Sequence, residues 1–343
     1  MAVKDSVLKA LKESKDEFLS GEELSNRLAV SRTAVWKAIK TLREEGYPIE
    51  AVTNKGYMMM SESWLITEES LKISLPAKYK NNPIYIFDTI DSTNIKAKQL
   101  ALENAAHGTI VMARQQSSGR GRLGRSFFSP REGIYMSIII RPDFDMSKAL
   151  LVTSAAAVAV AESIEKVCNL PAMIKWVNDI YLKGKKICGI SAEAITDFES
   201  GQIESLVIGI GINTTTKGFP PELLDIVTAA EGDYSKSALA AEVISRLLDL
   251  IEGLGQPNYK DTGNTGNISE SCFVNDFMRS YREHSLIIGK TIKVYKGGYR
   301  KDITDESMGI VAKALDIDEN GGLKVIYTDG SRETLNTGEV SIR

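Results

Sequence analysis

Residues 119–133, Gly-Arg-Gly-Arg-Leu-Gly-Arg-Ser-Phe-Phe-Ser-Pro-Arg-Glu-Gly, decide between the candidate folds. Their first six residues match the spacing GxGxxG. A dinucleotide-binding loop with that spacing requires a helix directly after it, with the helix N-terminus facing a pyrophosphate. The residues that follow here contain Pro130 and Gly133 and are not predicted to open a helix. The sequence therefore argues against a doubly wound dinucleotide-binding fold.

The chemistry of the same segment indicates an anion-binding loop. Arg120, Arg122 and Arg125 alternate with three glycines. Glycine lets the backbone approach a ligand closely, and arginine supplies forked, charge-assisted donors. The alternative is a basic surface turn, but three guanidinium groups held so close repel one another unless an anion lies between them. We therefore predict a loop that folds over an anionic ligand.

Length and composition limit the classes of protein. A chain of 343 residues predicts two or three domains, and its 43% hydrophobic and 25% charged residues are typical of a globular protein. The net charge of -3 predicts no overall attraction to nucleic acid or to an anionic membrane, so any such binding needs a local basic patch. The longest apolar stretch, residues 149–161, is too short to span a bilayer. Three widely separated cysteines indicate a reducing compartment, and we expect a cytoplasmic protein without a membrane partner.

Residues 1–63 are predicted to form a winged helix. Ser20 with Glu23 forms a capping box for a second helix, and Ser31 is placed to cap a third. A turn at 54–56 then joins two short strands. The order of three helices and a hairpin is that of a winged-helix DNA-binding domain.

The predicted third helix has a basic outward face, although residues 1–63 carry ten basic and ten acidic residues. Phosphate contacts need such a local cationic face. The alternative is a solvated face in a protein-interaction module. The residues predicted to contact DNA are Arg32, Thr33, Trp36, Lys37 and Lys40 on the helix and Lys55 at the hairpin tip.

Residues 64–285 alternate short β-rich runs with helices, and several strands follow one another directly, which favours a mixed or antiparallel sheet. Residues 286–343 predict a small β-barrel of short strands. Within residues 64–285, helices are predicted over Met146–Cys168 and Ile268–Glu283. The Gly-, Asn- and Thr-rich segment Gly255–Asn267 is predicted to be a surface loop.

A second polar segment is Lys175-Trp176-Val177-Asn178-Asp179, with Lys186 and Gly189 after it. In a continuous strand Lys175, Val177 and Asp179 would share one face. Such polar residues are costly to bury unless a ligand satisfies them, and Asp179 could hold Mg²⁺. The alternative is a plain β-turn at Asn178–Asp179.

Two shorter motifs add polar groups. Asp91-Ser92-Thr93-Asn94 opens a predicted helix, so one of its side chains could be only a cap, but three consecutive polar side chains exceed what a cap needs. Gly209-Ile210-Gly211-Ile212-Asn213 combines glycines that permit close approach in a strand with Asn213 at its end.

Taken together, these motifs resemble the biotin protein ligase family in their order and spacing. The resemblance covers the whole chain, including an N-terminal winged helix like that of the bifunctional biotin operon repressors. Val177 is a departure, since many members have proline there. The resemblance implies an α+β protein: a winged helix (1–63), a central mixed α/β sheet domain (64–285) similar to class II aminoacyl-tRNA synthetases, and a C-terminal SH3-like β-barrel (286–343).

The resemblance also implies the reaction and its residues. The family joins biotin and ATP, with Mg²⁺, into biotinyl-5′-AMP and transfers biotin to a lysine of a biotin carboxyl carrier domain. Catalytic roles fall to Arg122, Lys186 and Asp179, the last to place either Mg²⁺ or the incoming lysine. The biotin-binding residues would be Ser92, Thr93, Asn94, Gln116, Arg120, Gly121, Arg122, Lys186 and Gly189. The ATP-binding residues would be Arg122, Arg125, Trp176, Asn178, Lys186 and Asn213.

The resemblance further implies a homodimer that binds operator DNA of biotin genes. Two alternatives stay open. A lipoate or octanoate ligase shares the general fold, but the binding pocket of an aliphatic acyl chain would be apolar where this chain has Ser92-Thr93-Asn94. A winged-helix regulator that senses a ligand without catalysis would have no need for Lys186, Asp179 and the arginine loop together.

Overall fold

The computed structural model describes residues 3–14, 17–44, 47, 49–52, 55–59, 66–144, 148–196, 203–255, 258–260, 267–295 and 309–342. The chain divides into two compact units. One contains residues 1–67 with 235–237, and the other contains residues 68–234 and 238–343. No helix among these residues is long and apolar enough to cross a membrane.

The N-terminal unit has the predicted order of three helices and a hairpin. The helices are α1 (Val3–Glu13), α2 (Gly21–Leu28) and α3 (Arg32–Glu44), and the antiparallel strands are β1 (Ile49–Val52) and β2 (Gly56–Met59). Both predicted caps are confirmed: Ser20 Oγ accepts the Glu23 amide hydrogen at 3.0 Å, and Ser31 Oγ accepts that of Ala34 at 3.1 Å. Apolar side chains from all three helices and both strands form one buried core.

The larger unit is built on a seven-stranded mixed sheet in the order β3-β4-β5-β9-β8-β7-β6. Only β3 and β4 pair in parallel, which confirms the predicted mixed sheet. Its strands are β3 (Ile84–Ile90), β4 (Thr109–Gln116), β5 (Ile134–Ile140), β6 (Met173–Lys175), β7 (Asp179–Leu182), β8 (Lys185–Thr196) and β9 (Ile203–Ile212).

Helices cover this sheet. They are α4 (Glu68–Ser74), α5 (Thr93–Leu102), α6 (Ala149–Cys168), α7 (Lys236–Gly255) and α8 (Glu270–Glu283). Helix α5 packs on β4, β5 and β9 through Ala97, Leu100 and Ala101, while α6 contacts β6–β8 and α8. Alanines let α6 approach its neighbours closely, and all those from Ala155 to Ala161 are fully buried. The predicted start of α6 at Met146 lies outside the described residues.

The segment Gly255–Asn267 corrects a prediction. Its described part is not a simple loop, because β10 (Asn258–Lys260) pairs antiparallel with β11 (Asn267–Ser269). Helix α8 consequently begins at Glu270, two residues later than predicted, since Ile268 is paired with Tyr259 in this hairpin. A high content of Gly, Asn and Thr suits the connection of a hairpin as well as it suits a loop.

The C-terminal part is a five-stranded antiparallel sheet in the order β15-β14-β13-β12-β16. Its strands are β12 (Thr291–Tyr295), β13 (Ile310–Ile317), β14 (Leu323–Tyr327), β15 (Arg332–Leu335) and β16 (Glu339–Ile342). One of the short strands that the sequence predicts here begins at Glu306, and its first residues lie outside the described residues. Contacts that join this sheet to the central part include a hydrogen bond from the Trp176 indole N–H to the Gly321 carbonyl at 3.0 Å and one from Arg282 Nε to the Ile317 carbonyl at 2.6 Å.

Candidate active site

The site lies on one face of the central sheet, where four strands place residues in a single line. Gly211 of β9 is paired with Gly189 of β8, Gly189 with Asp179 of β7, and Asp179 with Lys175 of β6. Side chains of directly paired residues point to the same face of a sheet. The four residues therefore form a row, which we call the site row, that runs from two glycines to a carboxylate and then an ammonium.

A buried polar pocket lies beside the glycine end of this row. Asn94 at the start of α5 is 4% exposed, and its Oδ1 lies 2.6 Å from Ser137 Oγ. Its Nδ2 donates to Ser191 Oγ at 2.9 Å and to Glu193 Oε1 at 3.0 Å. Gly209 leaves room for this side chain, because a Cβ there would stand 2.1 Å from Asn94 Oδ1. The pocket offers several donors and acceptors within a small volume.

Thr93 extends the same pocket towards the arginine loop. Its amide hydrogen is donated to Gln116 Oε1 at 2.8 Å, and Gln116 Nε2 donates to Ser129 Oγ at 2.8 Å. Ser92, by contrast, makes no side-chain cap, and its own amide hydrogen goes to Asp91 Oδ1. Thr93 and Asn94 therefore turn into the cavity, as expected of side chains that exceed the needs of a cap.

The aromatic ring of Phe127 covers the two glycines of the site row. A Cβ at Gly211 would lie 2.5 Å from the ring, and one at Gly189 would lie 3.0 Å from it. The carbonyl of Phe127 accepts the Ser129 hydroxyl at 2.8 Å, and its amide hydrogen is donated to the Gly119 carbonyl at 2.8 Å. The end of the arginine loop is thereby fixed over the floor of the cavity.

The segment Lys175–Asp179 is a hairpin turn, which corrects the prediction of a strand through Val177. Strand β6 ends at Lys175, residues 176–178 turn, and the Trp176–Val177 peptide is cis. Lys175 and Asp179 share a face because they are paired across the hairpin, and not because they alternate along one strand. The Tyr281 hydroxyl donates to the Val177 carbonyl at 3.0 Å, which holds the turn from α8.

A β-bulge brings Lys186 onto the same face. The ladder between β7 and β8 shifts register so that Tyr181 is paired with Lys186 and Ile187 is the extra residue. Lys186 Nζ then lies 2.6 Å from Asp179 Oδ1. The Ile187 carbonyl accepts the Asn213 amide hydrogen at 2.8 Å, and the Lys186 backbone pairs with Ile226 and Thr228.

The arginine loop supplies further cations. No α-helix follows it, as predicted: residues 122–124 form one 3₁₀ turn and the chain then runs extended. Arg122 Nη1 donates to Asn178 Oδ1 at 3.0 Å, and burial lowers the pKa of its guanidinium. Arg125 pairs with Glu339 of β16, and this hydrogen bond raises its pKa.

The cavity therefore carries positive charge. Its walls include five cationic side chains, Arg120, Arg122, Arg125, Lys175 and Lys186, against two carboxylates, Asp179 and Glu339, a difference of +3. Water is partly excluded, so these charges act more strongly than they would in solution. The arrangement suits a ligand with a polar head and a chain of anionic groups.

Most of the predicted site residues line this one cavity. They are Thr93, Asn94, Gln116, Arg120, Gly121, Arg122, Arg125, Trp176, Asn178, Asp179, Lys186 and Gly189. Ser92 and Asn213 are not among its lining residues, although both are buried. Asn213 instead joins the bulge at Ile187 to residues 228–230, because its carbonyl accepts the Ala230 amide hydrogen and its Nδ2 donates to the Thr228 carbonyl at 3.2 Å.

Sequence reasoning missed several lining residues, among them Phe127, Ser191 and Glu339, and also Ser137 behind Asn94. It pointed to Lys175 as part of a polar segment but gave that residue no role in the site. A signal existed for Ser137, because it is the one serine or threonine in β5, a strand that is buried along its whole length. Glu339 carries no such signal, since it enters the site only through the contact between the C-terminal sheet and the arginine loop.

The donors present do not fit a protein-held Mg²⁺ ion, which was one of the two roles expected of Asp179. That carboxylate is paired with Lys186, and the other carboxylate of the cavity, Glu339, is paired with Arg125. No cluster of three or more metal-binding side chains occurs in the described part of the chain. Asp179 is therefore better suited to hold Lys186 than to hold a divalent cation.

The N-terminal unit presents a separate cationic face. Arg32, Thr33, Trp36, Lys37 and Lys40 are all exposed on α3, and Lys55 is exposed beside the hairpin turn. Trp36 is 54% exposed, and Lys40 Nζ lies 5.8 Å from its ring centroid. This face therefore combines cationic side chains of α3 with one aromatic ring, at cation–π distance from Lys40.

Comparison with protein families supports each part of the chain. Residues 4–58 match the HTH domain, residues 86–213 match the biotin/lipoate A/B protein ligase family, and residues 303–343 match the biotin protein ligase C terminal domain. The matched central segment includes the pocket around Asn94, the arginine loop and the site row.

Individual relatives agree with this. The bifunctional ligase/repressor BirA of Bacillus subtilis is 37% identical over 253 residues, which are 73% of this chain and 77% of that protein. BirA of Escherichia coli is 29% identical over 338 residues, 95% of this chain and 94% of that protein. The structure of biotin protein ligase from Aquifex aeolicus in complex with biotin and ATP has a TM-score of 0.59 at 25% identity, covering 76% of this chain and 98% of that one. The chain belongs to the biotin protein ligase family and, like the bifunctional ligase/repressors within it, carries an N-terminal helix–turn–helix domain.

Proposed function

We propose that the protein activates biotin with ATP to biotinyl-5′-AMP and transfers the biotinyl group to a lysine of a biotin carboxyl carrier domain. The observation that carries this proposal is the site row with the Asn94 pocket at its glycine end. A ligand with a compact polar head and a carboxylate tail would place the head at Asn94 and the tail at Lys186. These are the two ends of biotin.

The chemistry explains the surplus of cations. One carboxylate oxygen of biotin forms a bond to the α-phosphorus of ATP. The bond from that phosphorus to the oxygen that bridges the α- and β-phosphates breaks, and pyrophosphate is released. The reactants carry like charges, so catalysis consists mainly of positioning and charge neutralisation. We assign Arg120 and Arg122 to the carboxylate and the α-phosphate, and Lys186 to the charge that they share. Trp176, Asn178 and Arg125 form the nucleotide side of the cavity.

In the second step the amine of the acceptor lysine attacks the acyl carbon of the adenylate, and AMP leaves. The loop that ends in Phe127 would shield this reactive anhydride from water. Asp179, which is fixed beside Lys186, is placed to orient the incoming amine. Mg²⁺ would be held by the phosphates of ATP and not by a carboxylate of this cavity.

A biotin-dependent exchange of labelled pyrophosphate into ATP tests the proposal, with lipoate as the control acid. We expect exchange with biotin and none with lipoate, because the hydroxyl and amide groups around Asn94 suit a ureido group and would be left unpaired by an aliphatic chain. Exchange with lipoate would identify a lipoate ligase. Folded protein that gives no exchange with either acid would be a ligand sensor.

We further propose that the protein represses biotin genes as a homodimer whose two winged helices bind a two-fold operator once the adenylate is bound. The exposed cationic face of α3 with Trp36 favours this second activity. Protein loaded with biotinyl-5′-AMP should prefer particular DNA sequences at moderate salt. Equal binding to all sequences would refute the repressor activity and leave the ligase activity untouched.

The finer description of the fold belongs to the same proposal. We divide the chain at residues 63 and 285, liken the central sheet to that of class II aminoacyl-tRNA synthetases, and expect the C-terminal sheet to be an SH3-like barrel. Family membership and the antiparallel order of β12–β16 support this description.

A further inference from the structure

Lys175 stands at the far end of the site row. Its strand β6 is the edge of the seven-stranded sheet, and the row runs from Gly211 through Gly189 and Asp179 to Lys175. Neighbouring strands lie about 4.8 Å apart, so Lys175 is roughly 10 Å from Gly189 along the row. It is separated from the glycine floor by the strand that carries Asp179.

The Lys175 ammonium is a half-buried charge without an anionic partner in contact. Within the described part of the chain it forms no ion pair, and its one hydrogen bond is a long one, 3.5 Å to the Tyr181 hydroxyl. Its Nζ lies 5.4 Å from the centroid of the Tyr181 ring. The two carboxylates of the cavity already pair with other cations, Asp179 with Lys186 and Glu339 with Arg125.

Such a group is costly to bury. Burial lowers the pKa of Lys175, against the opposing influence of Asp179 and Glu339. A half-buried ammonium without an ion-pair partner is retained in a cavity where a ligand completes its surroundings. Since Lys175 lines the reaction cavity, the missing partner is an anion that enters with the substrates.

The geometry of the reaction decides which anion this is. In a displacement at phosphorus the attacking and leaving oxygens lie on opposite sides. The biotin carboxylate approaches from the glycine end of the site row, and Lys186 with Asp179 marks the position of the α-phosphate. The leaving group therefore departs towards the end occupied by Lys175.

We propose that Lys175 binds the β- and γ-phosphates of ATP and stabilises the pyrophosphate as it leaves, an inference that rests on the proposed ligase function. As the carboxylate oxygen bonds to the α-phosphorus, the electron pair of the breaking bond stays on the pyrophosphate oxygen. The Lys175 ammonium neutralises this developing charge without giving up its proton. The residue takes no part in the later transfer from the adenylate to the acceptor lysine.

The test compares Lys175→Met and Lys175→Arg with wild type in the exchange assay, with pyrophosphate varied at saturating biotin and ATP. We expect Lys175→Met to raise the KM for pyrophosphate by about 10-fold to 100-fold, the effect of losing one hydrogen bond to a charged group, and Lys175→Arg to raise it less. The matched control is Lys185→Met. Lys185 also lies in this region, but its ammonium donates to the Leu224 carbonyl outside the cavity. Its KM should equal that of wild type.

A second measurement separates this role from a structural one. Chemically prepared biotinyl-5′-AMP is supplied to each variant, and transfer of biotin to a purified carrier domain is followed without ATP. Lys175→Met should transfer at the wild-type rate, because pyrophosphate is absent from this step. Calorimetric affinity for biotin should also be unchanged, which shows that the variant is folded.

The proposal is overturned if Lys175→Met keeps the wild-type KM for pyrophosphate, or if it slows transfer from the preformed adenylate as strongly as it slows exchange. An equal rise in Lys185→Met would reduce the effect to general surface charge and would also overturn it. Absence of exchange in the wild-type protein is a different result, since it refutes the ligase function itself. If methionine prevents folding, Lys175→Gln and Lys175→Arg provide the same comparison.

Discussion

Phe127 lies so close to Gly211 that any β-carbon at position 211 would stand 2.5 Å from its ring. We therefore expect Gly211→Ala to displace Phe127 and the arginine loop and to raise the KM for biotin by at least about tenfold, the equivalent of about 1.4 kcal/mol. Phe127→Ala in the same chain should restore part of the affinity, because it removes the clash.

Exchange kinetics with varied biotin measure this effect. Gly232→Ala is the control, since its new methyl group would be in ordinary contact with Tyr234 at 3.4 Å. If the double variant binds biotin no better than Gly211→Ala alone, the contact between Phe127 and Gly211 does not govern biotin binding.

Asn94 should determine the preference for biotin. Asn94→Ala leaves Ser137 and Ser191 without their shared partner, and an unsatisfied buried polar group costs about 1–3 kcal/mol. We expect titration calorimetry to show weaker binding of biotin, together with a lower melting temperature. Gln99→Ala, at an exposed position of the same helix, is the control and should change neither quantity. Biotin affinity equal to that of wild type in Asn94→Ala would place the head of the ligand elsewhere.

Arg122 should act on the chemical step. Its guanidinium reaches Asn178 across the cavity, where it can meet charge on the α-phosphate. Removing one such group typically costs about 10²–10³ in kcat, so Arg122→Ala should reduce adenylate formation by this factor with the fold intact. Arg131→Ala removes an exposed arginine paired with Asp88, outside the cavity, and should be close to wild type. Single-turnover formation of biotinyl-5′-AMP measures both, and normal turnover in Arg122→Ala would remove it from the catalytic group.

Lys37 and Lys40 should bind phosphates and not bases. Each lysine that contacts a phosphate contributes about one unit to the slope of log affinity against log salt. Lys37→Ala and Lys40→Ala should each flatten that slope by about one unit and weaken binding to all duplexes alike. Lys9→Ala on α1, where Lys9 lies 3.9 Å from Glu13, is the control. Fluorescence anisotropy at several salt concentrations gives the slopes, and unchanged slopes would exclude α3 from the interface.

His284 should make stability depend on pH. Burial lowers the pKa of His284. The Ser280 carbonyl at 2.7 Å from Nδ1 and the Glu165 carboxylate at 3.1 Å from Nε2 act in the opposite direction and outweigh burial, so the net pKa is raised. A raised pKa stabilises the folded protein fully below about pH 6.5, the value of an unperturbed histidine, and this contribution is lost as pH rises through the folded-state pKa.

We therefore expect His284→Gln to lower the free energy of unfolding more at pH 5.5 than at pH 8.5, as measured by urea denaturation. Glu165→Gln should reduce the same pH dependence, because it removes one of the groups that hold the proton. An unchanged difference between the two pH values in His284→Gln would contradict this assignment.

The sequence predicted the order of elements better than it predicted their connections. Short β-rich runs located β4, β5 and β9, and capping residues located α2 and α3, because each of these signals is local. The sequence did not decide between a strand and a turn at Asn178–Asp179 for the segment 175–179, since a polar strand and a polar turn have the same composition; the structure has a turn at residues 176–178. The pairing of Tyr259 with Ile268 was missed for a related reason: turn-forming residues between two short strands do not show that the strands pair.

The site was predicted mainly through motifs. Gln116, Lys186 and Asn94 were found because they occur in segments with a family pattern, and the structure brings them to one cavity. Asn213 occurs in such a segment too, yet it supports the bulge instead of lining the cavity. Phe127 and Glu339 depend on long-range contacts, with Gly211 and with Arg125, and no local property of the sequence carries that information.

The extra residue in β8 also has a consequence for comparing this protein with others. In a ladder of regular alternation Ile187 would stand opposite Tyr181, and Lys186 would point to the other face of the sheet. Because of the bulge, Lys186 and not Ile187 is paired with Tyr181, and the residues on either side of the bulge remain regularly paired with β7. A comparison that follows strand pairing alone would therefore assign Ile187 to the position that Lys186 occupies, and correspondence at this strand has to be judged by which residue faces Asp179.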